Sequence, residues 1–348
     1  MWKYVLKRLG LALVTAYIVI SLSFLLIDLL PYSKPLGNEQ TRNNAYMEDV
    51  TRGYVKRELV KTDKYGKMLD EITVNGKTYY YYETPALEKY FNWLGNIITE
   101  WDWGDSVKIA PGNSATSVIF SRMPTTIKIN LVATLVSVPL GLLLGIIAAL
   151  KKNTAIDHII STGIMIFISI PSFILITLFI KVLAYDWGWV DSVWPSTTAP
   201  LLEKIKGFII PTLCLSFGSI CGYARFTRAE LCEVMESDYL LLARTKGLTR
   251  RQAITRHALR NAMVPIVPSI LAEVIGLLGG SMILENLYGI PGVGKLYVEA
   301  LGDGSANADL NVLFLDMALY TAIGLVSGVF LDISYGFIDP RIRMGAKK

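Results

Sequence analysis

Few side chains of this chain are of the types that do chemistry, and those few are scattered. The two histidines, His158 and His257, stand far apart. The three cysteines, Cys214, Cys221 and Cys232, fall in or beside one apolar block without the spacing of a zinc or redox site. They read as small buried hydrophobes. No Ser–His–Asp order suggests a hydrolase, and a membrane-embedded enzyme would need a nucleophile–base or metal set that the sequence does not assemble. Residues 289–296, GIPGVGKL, nearly match the phosphate-binding pattern G-x-x-x-x-G-K-[ST]. Leu296, however, stands where the Mg²⁺-holding hydroxyl belongs, and no strand precedes the run. The chain is therefore expected to have no nucleotide site of its own. Glu273 sits inside an otherwise apolar block, where an ionisable group costs about 2.5–3.5 kcal/mol on insertion scales. It reads either as a polar point on a translocation path or as a structural hydrogen bond to a neighbouring helix or a second subunit.

Residues 238–265, DYLLLARTKGLTRRQAITRHALRNAMVP, form the one long basic segment between two strongly apolar ones. Gly247 is placed to end a helix, because a left-handed residue just past a helix end is usually Gly. Thr249 lies three residues before Gln252, the capping-box spacing that starts a second helix. Arg250, Arg251, Arg256, His257 and Arg260 follow on it. A solvated basic loop lying near anionic headgroups would not need Leu240, Leu241, Leu242 and Ala243, nor a capped helix after a Gly stop. An apolar knob with a basic rim is the makeup of a docking site.

The elements around these residues are membrane spans. Of 348 residues, 52% are hydrophobic and 18% charged, against about 25% charged in soluble domains, and the apolar residues cluster in long blocks. Predicted spans cover residues 9–27, 129–150, 159–180, 207–224, 262–284 and 312–331. Pro31 ends the first, and its length argues against a cleaved signal peptide. Gly141 and Gly145 in the second span have the spacing of a close helix crossing. Pro171 predicts a kink in the third. Gly276, Gly279, Gly280 and Ser281 follow Glu273 in the fifth. Residues 285–309 are expected to be a loop.

Residues 32–122 are polar, Tyr-rich and balanced in charge. Asn75-Gly76 between residues 71–74 and 77–80 predicts a type I′ hairpin. Thr84 as N-cap and Pro85 at the first helical position predict a helix with a stripe of Leu87, Tyr90, Phe91, Leu94, Ile97, Ile98 and Trp101. That stripe could pack on the membrane core, lie in the interface or meet a partner. With the N-terminus in the cytoplasm, Lys3, Lys7, Arg8, Lys151, Lys152, the 225–260 segment and the basic tail all fall inside, as the positive-inside rule asks. Both ends and the elbow are then cytoplasmic, and 32–122 is extracellular. Basic residues at block ends argue for orientation in a bilayer rather than nucleic-acid binding.

The run Tyr239 to Gly247 with Arg256-His257-Ala-Leu-Arg-Asn261-Ala resembles the cytoplasmic "EAA" loop of ABC-transporter permease subunits. The resemblance points to the first-permease type of the dipeptide/oligopeptide (and nickel) importer group. Trp103-Gly104-Asp105-Ser106, Ile170-Pro171-Ser172-Phe173, Glu285 with Pro291-Gly-Val-Gly294, and Asp339-Pro340-Arg341-Ile-Arg343 resemble further landmarks of the group, as does the N-terminus. The likeness covers nearly the whole chain outside residues 34–82. Two departures stand out: Leu241 replaces the Glu of the EAA pattern, and Arg260 replaces its later Pro. The group often has an uncharged polar residue where this chain has Glu273.

The resemblance implies an all-α membrane protein with six transmembrane helices of the type I ABC importer permease kind. A small α+β extracellular insertion would lie between helices 1 and 2. The domains expected are residues 1–31, 32–122 and 123–348, with the coupling loop at 225–261. The implied role is permease subunit of an ATP-driven peptide importer in the bacterial cell membrane. Implied partners are a second homologous permease, two cytoplasmic ATPases that use ATP and Mg²⁺, an extracellular substrate-binding protein, the peptide and membrane lipid. Tyr239, Leu242, Ala243, Arg244, Lys246, Gly247 and Leu248 would meet the ATPase: Leu242, Ala243 and Leu248 filling a groove, Gly247 allowing close approach, Arg244 and Lys246 pairing at the rim. Glu273, Gly279 and Gly280 would lie on the path or gate. Trp101, Trp103 and Gly292 would lie on the binding-protein side. A permease for nickel or another small solute is the alternative within the group. An ion-gradient carrier is a more distant one, since paired broken helices in internal repeats are not evident.

Overall fold

The computed structural model describes residues 2–29, 34–35, 37–302 and 308–338. Pro31 and the closing segment from Asp339 lie outside the described residues. Along the chain run α1 (Trp2–Asp28), α2 (Glu39–Thr51), β1 (Val55–Glu58), β2 (Met68–Val74), β3 (Lys77–Glu83), α3 (Ala86–Glu100), α4 (Ala115–Leu150), α5 (Ala155–Ser169) and α6 (Ser172–Phe179). Then come α7 (Leu201–Gly207), α8 (Ile209–Met235), α9 (Asp238–Thr245), α10 (Arg250–Ala253), α11 (Leu259–Gly276), α12 (Met282–Tyr288), α13 (Val293–Leu301) and α14 (Leu310–Ile338). Their described residues gather into two compact units, one drawn from residues 1–13, 122–295 and 322–348, the other from residues 14–121 and 296–321.

Five helical runs are long and apolar enough to cross a membrane: Val5–Leu26, Ala115–Leu150, Leu201–Met235, Arg250–Gly276 and Leu310–Ser334. The predicted third span is instead a pair, Ala155–Ser169 and Ser172–Asp186, bent by 98°. Six spans result if that pair counts as one. The expected kink is thus a break, and it falls at the proline. Pro171 pushes the residue before it out of the helical region, and Ile170 is extended, with ψ 120°. The fifth span also ends early, at Gly276 rather than 284, because Asn130 Nδ2 donates to the carbonyls of Leu277 and Gly279 at 3.0 and 2.8 Å. Ser281 then caps α12 by accepting from Leu284 N. Residues 285–309, expected to be a loop, contain the end of α12 and all of α13.

In the larger unit, α4 and α8 cross at the predicted glycines. A Cβ on Gly141 would lie 2.6 Å from Tyr223 Cβ, and one on Gly145 would lie 2.6 Å from the Ala224 carbonyl. Close backbone approach of this kind drives helix association where lipid offers no hydrophobic force. Ile129, Ile176, Ile210, Cys214, Tyr288 and Ile290 form one core cluster, and Ile164, Cys221 and Ala224 another. Many apolar side chains stay on the outside, Ile159 and Leu135 among them, which suits a chain whose solvent is hydrocarbon.

The other unit holds the hairpin as predicted. Asn75 (φ 53°) and Gly76 (φ 74°) make the turn, with Val74 opposite Lys77. A third strand, β1, pairs antiparallel with β3 to give the order β1-β3-β2. Tyr46 of α2 stacks on Tyr81 of the sheet with ring centres 4.5 Å apart. Neither α2 nor β1 was expected. Thr84 is not the N-cap of α3: Pro85 takes that position without a side-chain bond, one residue later than predicted. The predicted stripe of α3 divides. Tyr90 and Ile97 are buried together with Trp93, while Leu87, Phe91, Ile98 and Trp101 are exposed.

Candidate functional site

The elbow folds as its residues dictate. α9 ends at Thr245, and Gly247 adopts φ +94°, a conformation a side chain opposes. Thr249 then makes a full capping box: its hydroxyl accepts from Gln252 N at 3.3 Å, and the Gln252 side chain accepts from Thr249 N at 3.0 Å. α10 continues through a wider, π-type turn over Ile254–Ala258 into α11. The basic run is therefore the start of a membrane span, with no break between.

The elbow has two faces. Leu240, Ala253, Ile254, Ala258 and Ala262 pack on Ala149 and Leu231, with Leu248 half-buried beside them. Tyr239, Leu241 and Leu242 stay 41%, 61% and 55% exposed. Arg244, Lys246, Gly247, Arg250, Arg251, Arg256, His257 and Arg260 are exposed as well, and Ala243 is half-buried. Leu242 thus points outward as a docking residue must. Leu248 and Leu240 are turned back onto their own chain, so of the leucines expected in the apolar knob Leu241 and Leu242 stay outside; Leu241 was not among the expected ATPase contacts.

Next to the elbow, Asp157 at the start of α5 takes Arg228 of α8 in a two-pronged grip, Nε and Nη2 to the two carboxylate oxygens at 2.6 and 2.8 Å. Asn153 N donates to the same carboxylate at 2.9 Å. Asp157 is 1% exposed. Paired guanidinium–carboxylate bonds hold orientation as well as distance. Lys152 pairs with Glu236 just before α9. These ties fasten the elbow's neighbourhood to the helices on either side, and nothing in the sequence spacing announced them.

Glu273 of α11 is half-buried and faces α8. Ser219 Oγ donates to it at 3.2 Å, and the Tyr223 hydroxyl donates to its other oxygen. Glu273 thus makes hydrogen bonds to a neighbouring helix. Gly279 gives its carbonyl to Asn130. Gly280 is packed so tightly that an added Cβ would lie 2.4 Å from Gly294 N.

The near-P-loop has a use of its own. Glu285, 3% exposed, accepts from Thr126 Oγ1 at 2.9 Å and from Lys295 N at 3.1 Å. Thr126 Oγ1 in turn accepts from Val293 N at 2.9 Å. The amides at the start of α13, which suit an anion, thus hold the chain's own carboxylate. Burial nevertheless pushes the Glu285 carboxyl above its ordinary range, with the Lys295 amide and Thr126 hydroxyl pulling the other way. Gly292 lies inside this knot, where a Cβ would meet Glu285 Oε2 at 2.4 Å and Thr126 Oγ1 at 2.5 Å. It cannot present a surface to a binding protein, contrary to its expected place. Thr126, Asn130 and Glu285 were missed as a group; the polar Thr126 and Asn130 at the head of an apolar run were the available signal.

In the smaller unit Trp103 is 6% exposed and sits edge-on to Trp93 at 6.2 Å. Of the three residues expected on the binding-protein side, Trp101 alone is open. Gly104 (φ +89°) is pressed on Asn311, whose Nδ2 donates to the Asp105 carbonyl at 2.8 Å. Ser106 Oγ donates to Asp309 Oδ2 at 2.6 Å, as do the amides of Lys108 and Ile109 at 3.0 and 3.1 Å. The Trp-Gly-Asp-Ser segment is therefore bound to the head of α14.

Residues 141–344 match the family described as "Binding-protein-dependent transport system inner membrane component". The chain is 30% identical over 348 residues to the dipeptide transport system permease protein DppB of Bacillus subtilis, covering 100% of each chain. It is 30% identical over 343 residues to the oligopeptide transport system permease protein OppB of Escherichia coli, covering 99% of this chain and 100% of that one. Among solved structures, an inward-facing conformation of the MetNI methionine ABC transporter aligns with a TM-score of 0.48 at 17% identity, over 64% of this chain and 95% of that chain.

Proposed function

Because this chain belongs to the family of binding-protein-dependent transport system inner membrane components, we propose that it is the permease subunit of an ATP-driven importer that brings dipeptides or oligopeptides across the bacterial cell membrane. The observation that carries this reading is the likeness, at 30% identity along the whole chain, to a dipeptide transport permease. In this reading the chain forms half of the path beside a second, homologous permease. Two cytoplasmic ATPases dock on the elbows, and an extracellular substrate-binding protein delivers the peptide. ATP and Mg²⁺ are used by the ATPases, and this chain binds no cofactor.

The elbow geometry supports the coupling. Tyr239, Leu241 and Leu242 form an exposed apolar knob with Arg244, Lys246, Arg250 and Arg251 around it. A groove on an ATPase would bury the knob, and acidic residues at its edge would meet the rim. ATP-driven closure of the ATPases then pulls on Asp238–Leu248. From Arg250 to Gly276 the chain is one helical run, so displacement at Thr249 reaches Glu273 and the Gly279–Gly280 bend. The Asp157–Arg228 grip makes α5 follow α8. Glu273 acts as a tether between α8 and α11 that the movement loads, while Gly279 and Gly280 lie where the span gives way to the Glu285 knot. Transport then alternates between two states that differ in contacts at both ends of this lever.

The test is purification from native membranes in mild detergent. The chain is expected to come down with a second permease and with ATPase subunits. Reconstituted vesicles are expected to take up labelled peptide only with ATP on the elbow side and the binding protein on the other. Uptake driven by an ion gradient without any ATPase overturns the reading.

A further inference from the structure

α3 presents three faces at 100° per residue. Tyr90, Trp93 and Ile97 share one face and are buried. Glu88 and Asn92 share a second and turn to the sheet, Glu88 pairing with Lys56 at 2.7 Å and Asn92 donating to the Gly53 carbonyl at 3.3 Å. Leu87, Phe91, half-buried Leu94 and Ile98 share the third, with Trp101 following at the helix end. Leu87, Phe91, Ile98 and Trp101 are between 65% and 73% exposed, and no charged residue falls among them on that arc.

We propose that this stripe is embedded in lipid, in the leaflet at the C-terminal end of α1. The first reason is what the neighbouring face of α3 rests on. The Tyr90 hydroxyl is hydrogen-bonded to Ser21 at 2.7 Å and to Tyr17 at 3.1 Å, and the Trp93 ring lies 4.7 Å from that of Phe24. All three α1 residues are inside the apolar run Val5–Leu26. Tyr17 precedes its end by about 14 Å, at 1.5 Å per residue. A helix seated on that stretch is at acyl depth, where α1 itself leaves Ile18, Leu22 and Leu26 exposed.

The second reason is the distribution of polar groups. Lys89 pairs with Asp28 just past the end of the span, and Glu88 and Asn92 are on the sheet side, away from the stripe. An apolar arc, a polar opposite face and a terminal Trp are the makeup of a helix lying in a membrane interface. A soluble protein that docks and leaves in each cycle would strand this arc in water between visits, and exposed patches of that kind are rare on wetted surfaces. The inference rests only on α1 being a membrane span, so its failure would leave the transport reading standing.

The experiment uses the whole complex in nanodiscs of phosphatidylethanolamine and phosphatidylglycerol. Bimane is attached at Phe91→Cys, Ile98→Cys or Thr99→Cys in a chain whose three native cysteines are replaced by alanine. At positions 91 and 98, bromine on the lipid acyl chains is expected to quench most of the signal, and aqueous iodide little. Position 99, on the sheet side, is expected to show the reverse. Equal iodide quenching at all three positions with no bromolipid effect overturns the proposal. So does a signal at 91 or 98 that answers to the binding protein or second permease and not to bromolipid. Should the cysteine-free chain fail to assemble, a photoreactive benzoylphenylalanine at position 91 in the otherwise native chain gives the same decision. A lipid-mass adduct supports the proposal, and an adduct to protein defeats it.

Discussion

At the residue scale, Gly247 and Glu285 do opposite kinds of work. Gly247 is in open space: a Cβ there would meet nothing within 4 Å. Its φ of +94° makes any side chain cost about 1–3 kcal/mol of local strain, too little to unfold the chain. Gly247→Asp is therefore expected to insert and assemble normally. It places a negative charge in the basic rim and, in the proposed coupling, a side chain where the ATPase backbone would approach. ATP hydrolysis should continue while peptide uptake is lost, and wild-type uptake in vesicles would remove Gly247 from the coupling site. Glu285 is the reverse case, enclosed on every side. Thr126→Val removes a donor to Glu285 and an acceptor for Val293 N, and an unsatisfied buried group costs about 1–3 kcal/mol. A lowered melting temperature in detergent is the expected readout. Burial raises the Glu285 pKa, so the folded chain holds this proton more tightly than the unfolded one. The stability it contributes is present below the ordinary carboxylate pKa and is lost as pH rises through the higher folded value. Glu285→Gln is expected to flatten the melting temperature against pH across that acidic window; an unchanged slope would show that other groups set it.

At the element scale, the helices are placed by small residues and by breaks. Gly145 lets α4 meet α8 with Thr227 Cβ at 2.6 Å from a would-be side chain, and α8 then carries Tyr223 to Glu273 on α11. Gly145→Leu is expected to push the pair apart and cost a few kcal/mol, as overpacking does, visible as loss of assembled complex on gel filtration. Glu273→Gln keeps an acceptor for Ser219 and Tyr223, whereas Glu273→Leu leaves both hydroxyls unpaired. Uptake is expected to survive the first and fall in the second. Equal loss in both would mean that the charge itself has a part in transport. The break at Ile170-Pro171 belongs to this scale as well. A proline announces that a helix is disturbed, but whether the result is a kink or a 98° bend depends on what the two halves pack against.

At the scale of the whole molecule, the orientation and the polar insertion carry the remaining predictions. A cysteine-reactive probe at Lys246→Cys is expected to label from the cytoplasm only, and labelling from outside would invert the proposed topology. Deleting residues 34–82 removes α2, β1, β2 and most of β3. Insertion and ATPase binding should persist, while uptake that depends on the binding protein should fall; unchanged docking and uptake would show that the sheet has no part in delivery. Local chemistry was readable without coordinates. The Thr249 capping box, the Asn75-Gly76 turn, the Gly247 stop and the Gly141–Gly145 crossing all stand as the sequence predicts, because each depends on backbone preferences a few residues long. Length and apolarity likewise located the spans, since a bilayer imposes them on any chain. What only tertiary structure decided is which side of each helix is used. Leu248 turns inward and Leu241 outward, the α3 stripe splits with Tyr90 and Ile97 in the core and Leu87, Phe91, Ile98 and Trp101 at the surface, and Gly292 is sealed against Glu285. Side chains 159 and 203 residues apart, Thr126 and Glu285 or Ser106 and Asp309, meet only when helices far apart in the chain have packed. No pattern within a segment encodes that pairing.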